Sequence, residues 1–328
     1  MGERLRVGIV GAGGIGQHHA RWHDLCGNDV VGFVGTSDAS VTRTRKRLVD
    51  YFGYSGRGYT SLPEMMSAER PDIVAITSPY TSHKEHLLAL LDSEAHILCE
   101  KPLTWNEAYD LDRILADGRE MVLAATHRDQ LFCLTAQYPA CLPMYHDLYA
   151  SVNGGELGEV ETIEMDMEVK RRGPRKLWES NWIDVASHPL SLAIAVLGGG
   201  SIVPETATCS VAESECHASF RCAGSNGTAN IRFTIRDIED GTPTRRFGIN
   251  GFLVDWDGFA DEGGVYRATL THRERSVSGN DFLHALIEQF TTSVKRGGPV
   301  AVDADSALLN LELQVALLRL AREGAHAA

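Results

Sequence analysis

The segment Leu5-Arg6-Val7-Gly8-Ile9-Val10-Gly11-Ala12-Gly13-Gly14-Ile15-Gly16 constrains this chain more than any other. An apolar strand run, Leu5–Val10, enters a GxGxxG turn, and a helical pattern, Ile15–Leu25, leaves it. Gly11 permits the tight turn, Gly13 lets the backbone approach a pyrophosphate, and Gly16 lets helix and strand pack closely. The helix N-terminus then favours the anion. GxGxxG alone is a weak signal; the strand–turn–helix context makes it a dinucleotide-binding turn rather than a ligand-free glycine loop. Gly11, Gly13, Gly14, Ile15 and Gly16 are therefore the expected cofactor-binding residues.

The alternation continues. Val30–Val34, Asp72–Ile76, Ala95–Cys99 and Met121–Ala125 read as strands; Val41–Phe52, Ser82–Leu91 and Asn106–Ala116 read as helices. Such a pattern builds an α/β fold, a Rossmann doubly wound parallel sheet, and assigns residues 1–126 to a dinucleotide-binding domain. Beyond Thr126 the pattern changes. A helical stretch, Cys133–Val152, precedes the strictly alternating Val160–Val169. Strand runs follow at Ala207–Ala212, Ala218–Cys222, Thr228–Ile235, Phe247–Asp255 and Tyr266–Thr271, then helices at Asp281–Val294 and Ala304–Arg322. Short turns such as Ser225-Asn226-Gly227 join the strands, so residues 127–328 are expected to form a C-terminal α+β domain with an open, largely antiparallel sheet. That domain would serve substrate binding and oligomerisation. Its open sheet face is expected to pack on another copy, giving a homodimer or homotetramer.

Composition excludes some partners. With 31 Lys+Arg against 44 Asp+Glu, the formal charge of -13 argues against nucleic acid, whose phosphates are held by clustered Lys and Arg. No apolar run reaches the ~18–20 residues of a membrane span, and the amino terminus lacks a signal-peptide core. The seven cysteines are odd in number and show no CxxC spacing, so they read as buried thiols in a reducing cytoplasm. His18, His19 and His23 read as surface or packed histidines, and no metal is expected.

At the end of the second strand, Gly35-Thr36-Ser37-Asp38 stands where an NAD site places an acidic side chain on the ribose diol. Small hydroxyl residues there accept a 2′-phosphate, with Arg43 or Arg45 as countercharge, so NADP(H) is favoured over NAD(H). Asp38 is either a displaced diol ligand or the cap of the next helix.

Further motifs are Ser78-Pro79 followed by His83, Glu100-Lys101-Pro102, Gly155-Glu156-Leu157-Gly158-Glu159-Val160 and Asp184-Val185-Ala186-Ser187-His188-Pro189. In this order the chain resembles, over essentially its whole length, the Gfo/Idh/MocA family of nicotinamide-dependent oxidoreductases. The resemblance implies that Lys101 reaches the nicotinamide ribose and the reacting hydroxyl. It implies that His188 is the general acid/base and that Asp184 orients the substrate or the histidine. Ser78, His83 and Glu100 fall on the cofactor side. The residue chemistry agrees: Asp184 and His188 at i,i+4 would share a helix face, and a histidine can exchange the proton that accompanies hydride transfer. A lysine beside a sugar hydroxyl favours an alkoxide-like transition state. The family pattern is broken by Ser191 in place of a second Asp, by Tyr80 in place of Asn, and by His127-Arg128 in place of Asn-Arg.

The expected function is hydride transfer between nicotinamide and a secondary alcohol or ketone of a sugar, aminosugar or cyclitol, as a biosynthetic ketoreductase. The alternatives are an oxidising inositol or sugar dehydrogenase, a non-redox enzyme that recycles NAD, and a nucleotide-binding sensor. Trp178 and Trp182 read as a sugar platform or as core, and Arg171, Arg172, Arg175 and Lys176 as a solvated basic loop. Glu164, Asp166 and Glu168 share one strand face, which either attracts a cationic aminosugar or is plain solvent face.

Overall fold

The computed structural model describes residues 4–127, 129–170 and 179–327; Arg128, Arg171, Arg172, Arg175, Lys176 and Trp178 lie outside them. The chain divides into two compact units, residues 1–135 with 283–308, and residues 136–282 with 309–328. This division runs past a linear cut at Thr126, because a sixth strand joins the first sheet and the Leu134 N–H donates to Val302 O at 2.9 Å.

The first unit runs β1 (Arg6–Val10), α1 (Ile15–Leu25), β2 (Asp29–Val34), α2 (Asp38–Phe52), β3 (Arg57–Tyr59), α3 (Leu62–Glu69), β4 (Ile73–Ile76), α4 (His83–Leu88), β5 (His96–Cys99), α5 (Leu111–Thr126) and β6 (Phe132–Leu134). All pairings in its sheet, ordered β3-β2-β1-β4-β5-β6, are parallel. Strands covered on both faces are apolar throughout rather than alternating, and β4 (Ile-Val-Ala-Ile) is wholly buried. Strand order reverses between β1 and β4, the place where open α/β sheets bind ligands beyond their carboxyl ends.

The second unit contains α6 (Leu142–Asn153), β7 (Thr162–Lys170), α7 (Ser180–Val185), α8 (Ser187–Leu197), β8 (Ser201–Val211), β9 (Glu215–Gly224), β10 (Gly227–Ile238), β11 (Arg245–Ile249), β12 (Phe252–Ala260), β13 (Tyr266–His272) and β14 (Arg275–Asn280). Its sheet is ordered β14-β13-β12-β11-β7-β10-β9-β8, antiparallel except for β7 beside β10. Along β7, Ile163, Met165 and Met167 are buried, while Glu164, Asp166 and Glu168 point to the other face. Two helices, α9 (Phe282–Arg296) and α10 (Ala304–Ala327), complete the chain.

Three sequence expectations are corrected. Met121–Ala125 is not a strand: it belongs to α5, whose buried Leu111, Ile114, Met121, Val122 and Ala125 keep helical spacing from an Asp110 cap. Asn106–Ala116 was thus the wrong frame for that helix. Cys133 lies in β6, paired with Leu98, so the helix expected over Cys133–Val152 starts only at Leu142. Phe247–Asp255 is two strands, not one: Asn250 (φ 52°) and Gly251 (φ 76°) reverse the chain and pair Ile249 with Phe252. The Tyr145 hydroxyl latches this hairpin, accepting the Ile249 N–H at 2.9 Å and donating to Phe252 O at 2.8 Å.

Candidate cofactor and catalytic sites

Each glycine of the β1–α1 turn has a distinct physical reason. Gly11 sits at φ 93°, and a Cβ there would come within 2.9 Å of the Ser78 backbone. A Cβ on Gly16 would overlap Thr77 Oγ1 and Gly11 O. Around Gly13 and Gly14, by contrast, nothing lies within 4 Å of where a Cβ would stand. The first two glycines serve the protein's own packing; the next two leave space. Gly14 precedes α1 without a side-chain cap, whereas α2, α3 and α5 are capped by Ser37, Ser61 and Asp110. The first N–H groups of α1 are thus left for an anion, and the turn fits a dinucleotide pyrophosphate.

At the end of β2, a Cβ on Gly35 would stand 2.7 Å from Ser40 Oγ and 3.0 Å from Val41 Cγ2, so a side chain there would require these α2 side chains to shift. Ser37, not Asp38, caps α2, accepting the Ser40 N–H at 3.3 Å, and Asp38 lies in the first helical turn. Thr36, Ser37, Asp38 and Arg43 are exposed.

The loops after β4 and β5 are tied by His83. Its Nε2 lies 2.9 Å from Ser78 O and its Nδ1 3.1 Å from Pro102 O. Burial pushes its pKa down, outweighing the carbonyls and Glu100, which favour the charged ring. Ser78 Oγ meets His86 Nδ1 at 2.9 Å. Glu100 is buried at 7% exposure and takes His19 Nε2 on Oε1 at 2.8 Å, and its Oε2 accepts the backbone N–H of Lys101 at 3.2 Å. Burial raises the Glu100 pKa, but His19 and Lys101 more than offset this and hold it below the ordinary value. His19 is therefore packed beneath the lysine loop. Among the described residues, no group of three or more His, Cys, Asp or Glu is arranged to hold a metal.

In the second unit, Asp184 and His188 do not share one uninterrupted helix. They flank a turn at Ala186 between α7 and α8, with Asp184 exposed and the His188 ring buried. The corner is built from afar. Gln314 Nε2 donates to Trp182 O (3.0 Å) and Ile183 O (3.2 Å), Asn310 Nδ2 donates to Ser187 O (2.9 Å), and Trp182 Nε1 donates to Gln314 O (3.1 Å). Trp182 O also accepts the Ala186 N–H at 3.0 Å, so it is Ile183 O, where α7 ends, that depends on Gln314. Trp182 stacks on Phe233 and is fully buried, which makes it core rather than a sugar platform. The His188 ring packs 5.4 Å from Tyr138, which also meets Phe247, Trp256 and Phe282.

Residues 5–127 match the family profile described as an oxidoreductase family with an NAD-binding Rossmann fold. Over these residues the chain is similar to the Gfo/Idh/MocA family. It is 27% identical over 213 residues to D-glucoside 3-dehydrogenase of Escherichia coli (strain K12), covering 59% of this chain and 54% of that protein. Glucose-6-phosphate 3-dehydrogenase of Bacillus subtilis (strain 168) is 37% identical over 98 residues, 30% of this chain and 26% of that one. These matches thus span between about a quarter and about half of the relatives' lengths. Over its whole length the fold resembles GenD2 from gentamicin A biosynthesis, solved with NAD, at TM-score 0.72 and 19% identity, covering 99% of this chain and 96% of that one.

The motifs of the Gfo/Idh/MocA family located Lys101 and His188, but not their supports. His19, Tyr138, Asn310 and Gln314 were missed as such because each acts across a long sequence separation that no local pattern reports. The acidic strand face also changes meaning. Parallel pairing sets Arg232 beside Glu164 and Arg236 beside Glu168, Arg236 reaches Asp166 at 3.6 Å, and the Thr244 N–H donates to Glu168 at 2.8 Å. This face is a mixed-charge lattice, not a single-sign surface. No helix among the described residues is long and apolar enough to cross a membrane.

Proposed function

We propose that this chain is an NAD(P)-dependent oxidoreductase acting on a secondary alcohol or ketone of a sugar, aminosugar or cyclitol. The observation that carries this reading is the open, uncapped glycine turn at the switch point of a domain matched to an NAD-binding oxidoreductase family. A bound nicotinamide supplies the hydride donor or acceptor. In the oxidising direction His188 takes the hydroxyl proton as the carbon gives up hydride, and Lys101 favours the developing alkoxide. Asp184 orients the substrate or the imidazole. Ser78, His83 and Glu100 shape the cofactor side, with Glu100 holding the lysine loop. NADP(H) is favoured because Gly35 offers no carboxylate to repel a 2′-phosphate, while Thr36, Ser37 and exposed Arg43 can receive one. With NADPH, ketone reduction in biosynthesis is the favoured direction. The names of the relatives, sugar 3-dehydrogenases, favour oxidation as the second reading.

The test is a spectrophotometric screen with NADPH, NADP, NADH and NAD across ketosugars, sugars, aminosugars and inositols. Lys101→Ala and His188→Ala should each lower kcat at least ~100-fold, the usual scale for positioned acid–base and electrostatic groups. Near-normal turnover in either removes its role, and tighter binding of NADH than NADPH removes the NADP preference. We further propose that the polar sheet face pairs with a second copy as a homodimer or homotetramer, which a monomer mass by light scattering at micromolar concentration would exclude.

A further inference from the structure

The two faces of the second sheet treat neighbouring arginines oppositely. Arg246 lies on the polar face, where its guanidinium grips Asp255 through two bonds of 2.7 and 3.0 Å. Arg245, one residue earlier in β11, pairs with Met167 of β7 and so shares the face of buried Met167, Phe247 and Ile249. Its guanidinium lies 4.3 Å from the centre of the Trp256 ring. Among the described residues no carboxylate lies within ion-pair distance of it.

A half-buried cation on an otherwise apolar face is costly unless something compensates it. The Trp256 ring returns only part of that cost, about 0.5–2 kcal/mol for a cation over an indole face. The arginine is also held in one place. Trp256 stacks on Phe282 at 4.6 Å and meets Tyr138 at 5.9 Å, and Tyr138 packs against the His188 ring at 5.4 Å. A continuous aromatic relay therefore connects the guanidinium to the imidazole. Two charged groups oppose each other at the Tyr138 phenol: Arg245 favours its ionised form and Asp281 disfavours it, with burial dominating and pushing the phenol well up. Asp281 is buried, whereas Arg245 keeps access to solvent.

We infer that Arg245, over the Trp256 ring and linked through it and Tyr138 to His188, is a substrate-recognition residue that selects a sugar or cyclitol carrying an oxyanion, either a carboxylate or a phosphate. A guanidinium held over an aromatic ring can present its edge donors for bidentate contact with such a group. The carboxylates of Glu164, Asp166 and Glu168 lie on the opposite face, already among arginines. The inference rests on the oxidoreductase reading only for the word substrate; the anion site itself stands on the geometry of one unit.

Binding and turnover separate the two. Calorimetry on the purified protein, with and without NAD or NADP, compares D-glucuronate and D-glucose 6-phosphate with D-glucose and D-glucosamine. At least one anionic sugar is expected to bind ~10-fold or more tightly than glucose, as a charge-assisted contact allows. Arg245→Gln should collapse that ratio towards one, and Arg245→Lys should restore part of it, while thermal melting checks that both variants fold. Which anion wins tells carboxylate from phosphate. Where turnover is seen, the ratio of kcat/KM for anionic over neutral sugar should fall in Arg245→Gln, chiefly through KM. Equal binding of charged and neutral sugars, or a ratio unmoved in Arg245→Gln, overturns the anion site whatever the turnover shows. Anion-selective binding without cofactor reduction by any sugar leaves the site standing and overturns the oxidoreductase reading instead.

Discussion

The glycine turn after β1 and the corner that carries His188 are both breaks between regular elements, but they are built in opposite ways. The turn is assembled from consecutive residues and meets only the ends of the two adjacent strands: the Thr77–Ser78 loop after β4, and Val34 O of β2, which accepts the Gly11 N–H at 3.0 Å. The corner at Ala186 has no glycine and no side-chain cap; beside the Ala186 N–H on Trp182 O, the side-chain donors to its Trp182, Ile183 and Ser187 carbonyls are Asn310 and Gln314, more than a hundred positions away. A locally encoded break can be read from a motif. A remotely encoded one is visible only after the chain has folded.

Substitutions within the turn give the largest expected effects and test whether its glycines are really of two kinds. Gly16→Val places a side chain against Thr77 Oγ1 and the Gly11 carbonyl, where backbone rather than a flexible side chain must move. Loss of folded protein, or destabilisation beyond ~4 kcal/mol, is expected for such overpacking against the backbone. Gly13→Ala meets no protein atom within 4 Å, so its melting temperature should match the parent. Its dinucleotide dissociation constant should rise about tenfold or more, because the methyl occupies space reserved for the pyrophosphate. Equal melting points for the two variants, or unchanged cofactor binding by Gly13→Ala, would erase the distinction.

At the corner the same logic runs through a remote residue. Gln314→Leu keeps the volume but removes the donor to two carbonyls; Trp182 O keeps the Ala186 N–H, while Ile183 O is left unsatisfied, at about 1–3 kcal/mol for such a buried polar group. Chemical denaturation should show that loss, with kcat reduced as the His188 turn relaxes. Gln314→Met keeps an unbranched side chain of similar length and loses only the polar contacts, so it separates hydrogen bonding from packing. Stability unchanged in both would mean that the corner is encoded locally after all.

These differences explain what could be read in advance. The doubly wound sheet, the antiparallel second sheet and the turn at Gly11–Gly16 follow from periodicity and glycine spacing, which are local. Met121–Ala125 misled because a short apolar run looks the same in a strand and on the inner face of a helix; only the Asp110 cap ten residues earlier decides it. Phe247–Asp255 misled because Asn250-Gly251 sits inside an apolar run, so its turn signal was hidden by hydrophobic neighbours. Arg245 and Arg246 are adjacent and chemically identical, and only strand register assigns one to Asp255 and the other to Trp256.

The smallest expected effect concerns protons and again sets local burial against remote support. In the first unit His23, on α1, is fully buried against Asn28, and burial, aided by His19, lowers its pKa to about 3. Burial lowers those of His83 and His86 as well. All three folded-state values lie below the ordinary histidine value of about 6.5, so the unfolded chain takes up these protons first. Stability is therefore full above about pH 6.5 and declines as pH falls below it, at up to about 1.4 kcal/mol per pH unit for each such histidine. Glu100, whose pKa is held below its ordinary value, adds a loss in the same direction, but only under about pH 4.5, where carboxylates begin to protonate. Denaturation between pH 5 and 6.5 thus reads the histidines alone. His23→Leu removes one of the three and leaves the Asn28 amide bonded to Thr291 at 2.9 Å, so it should flatten the slope by about a third. A slope identical to the parent would mean that His23 is protonated in the fold. The polar contacts around α1 would then have to be sustained by a charge rather than by burial.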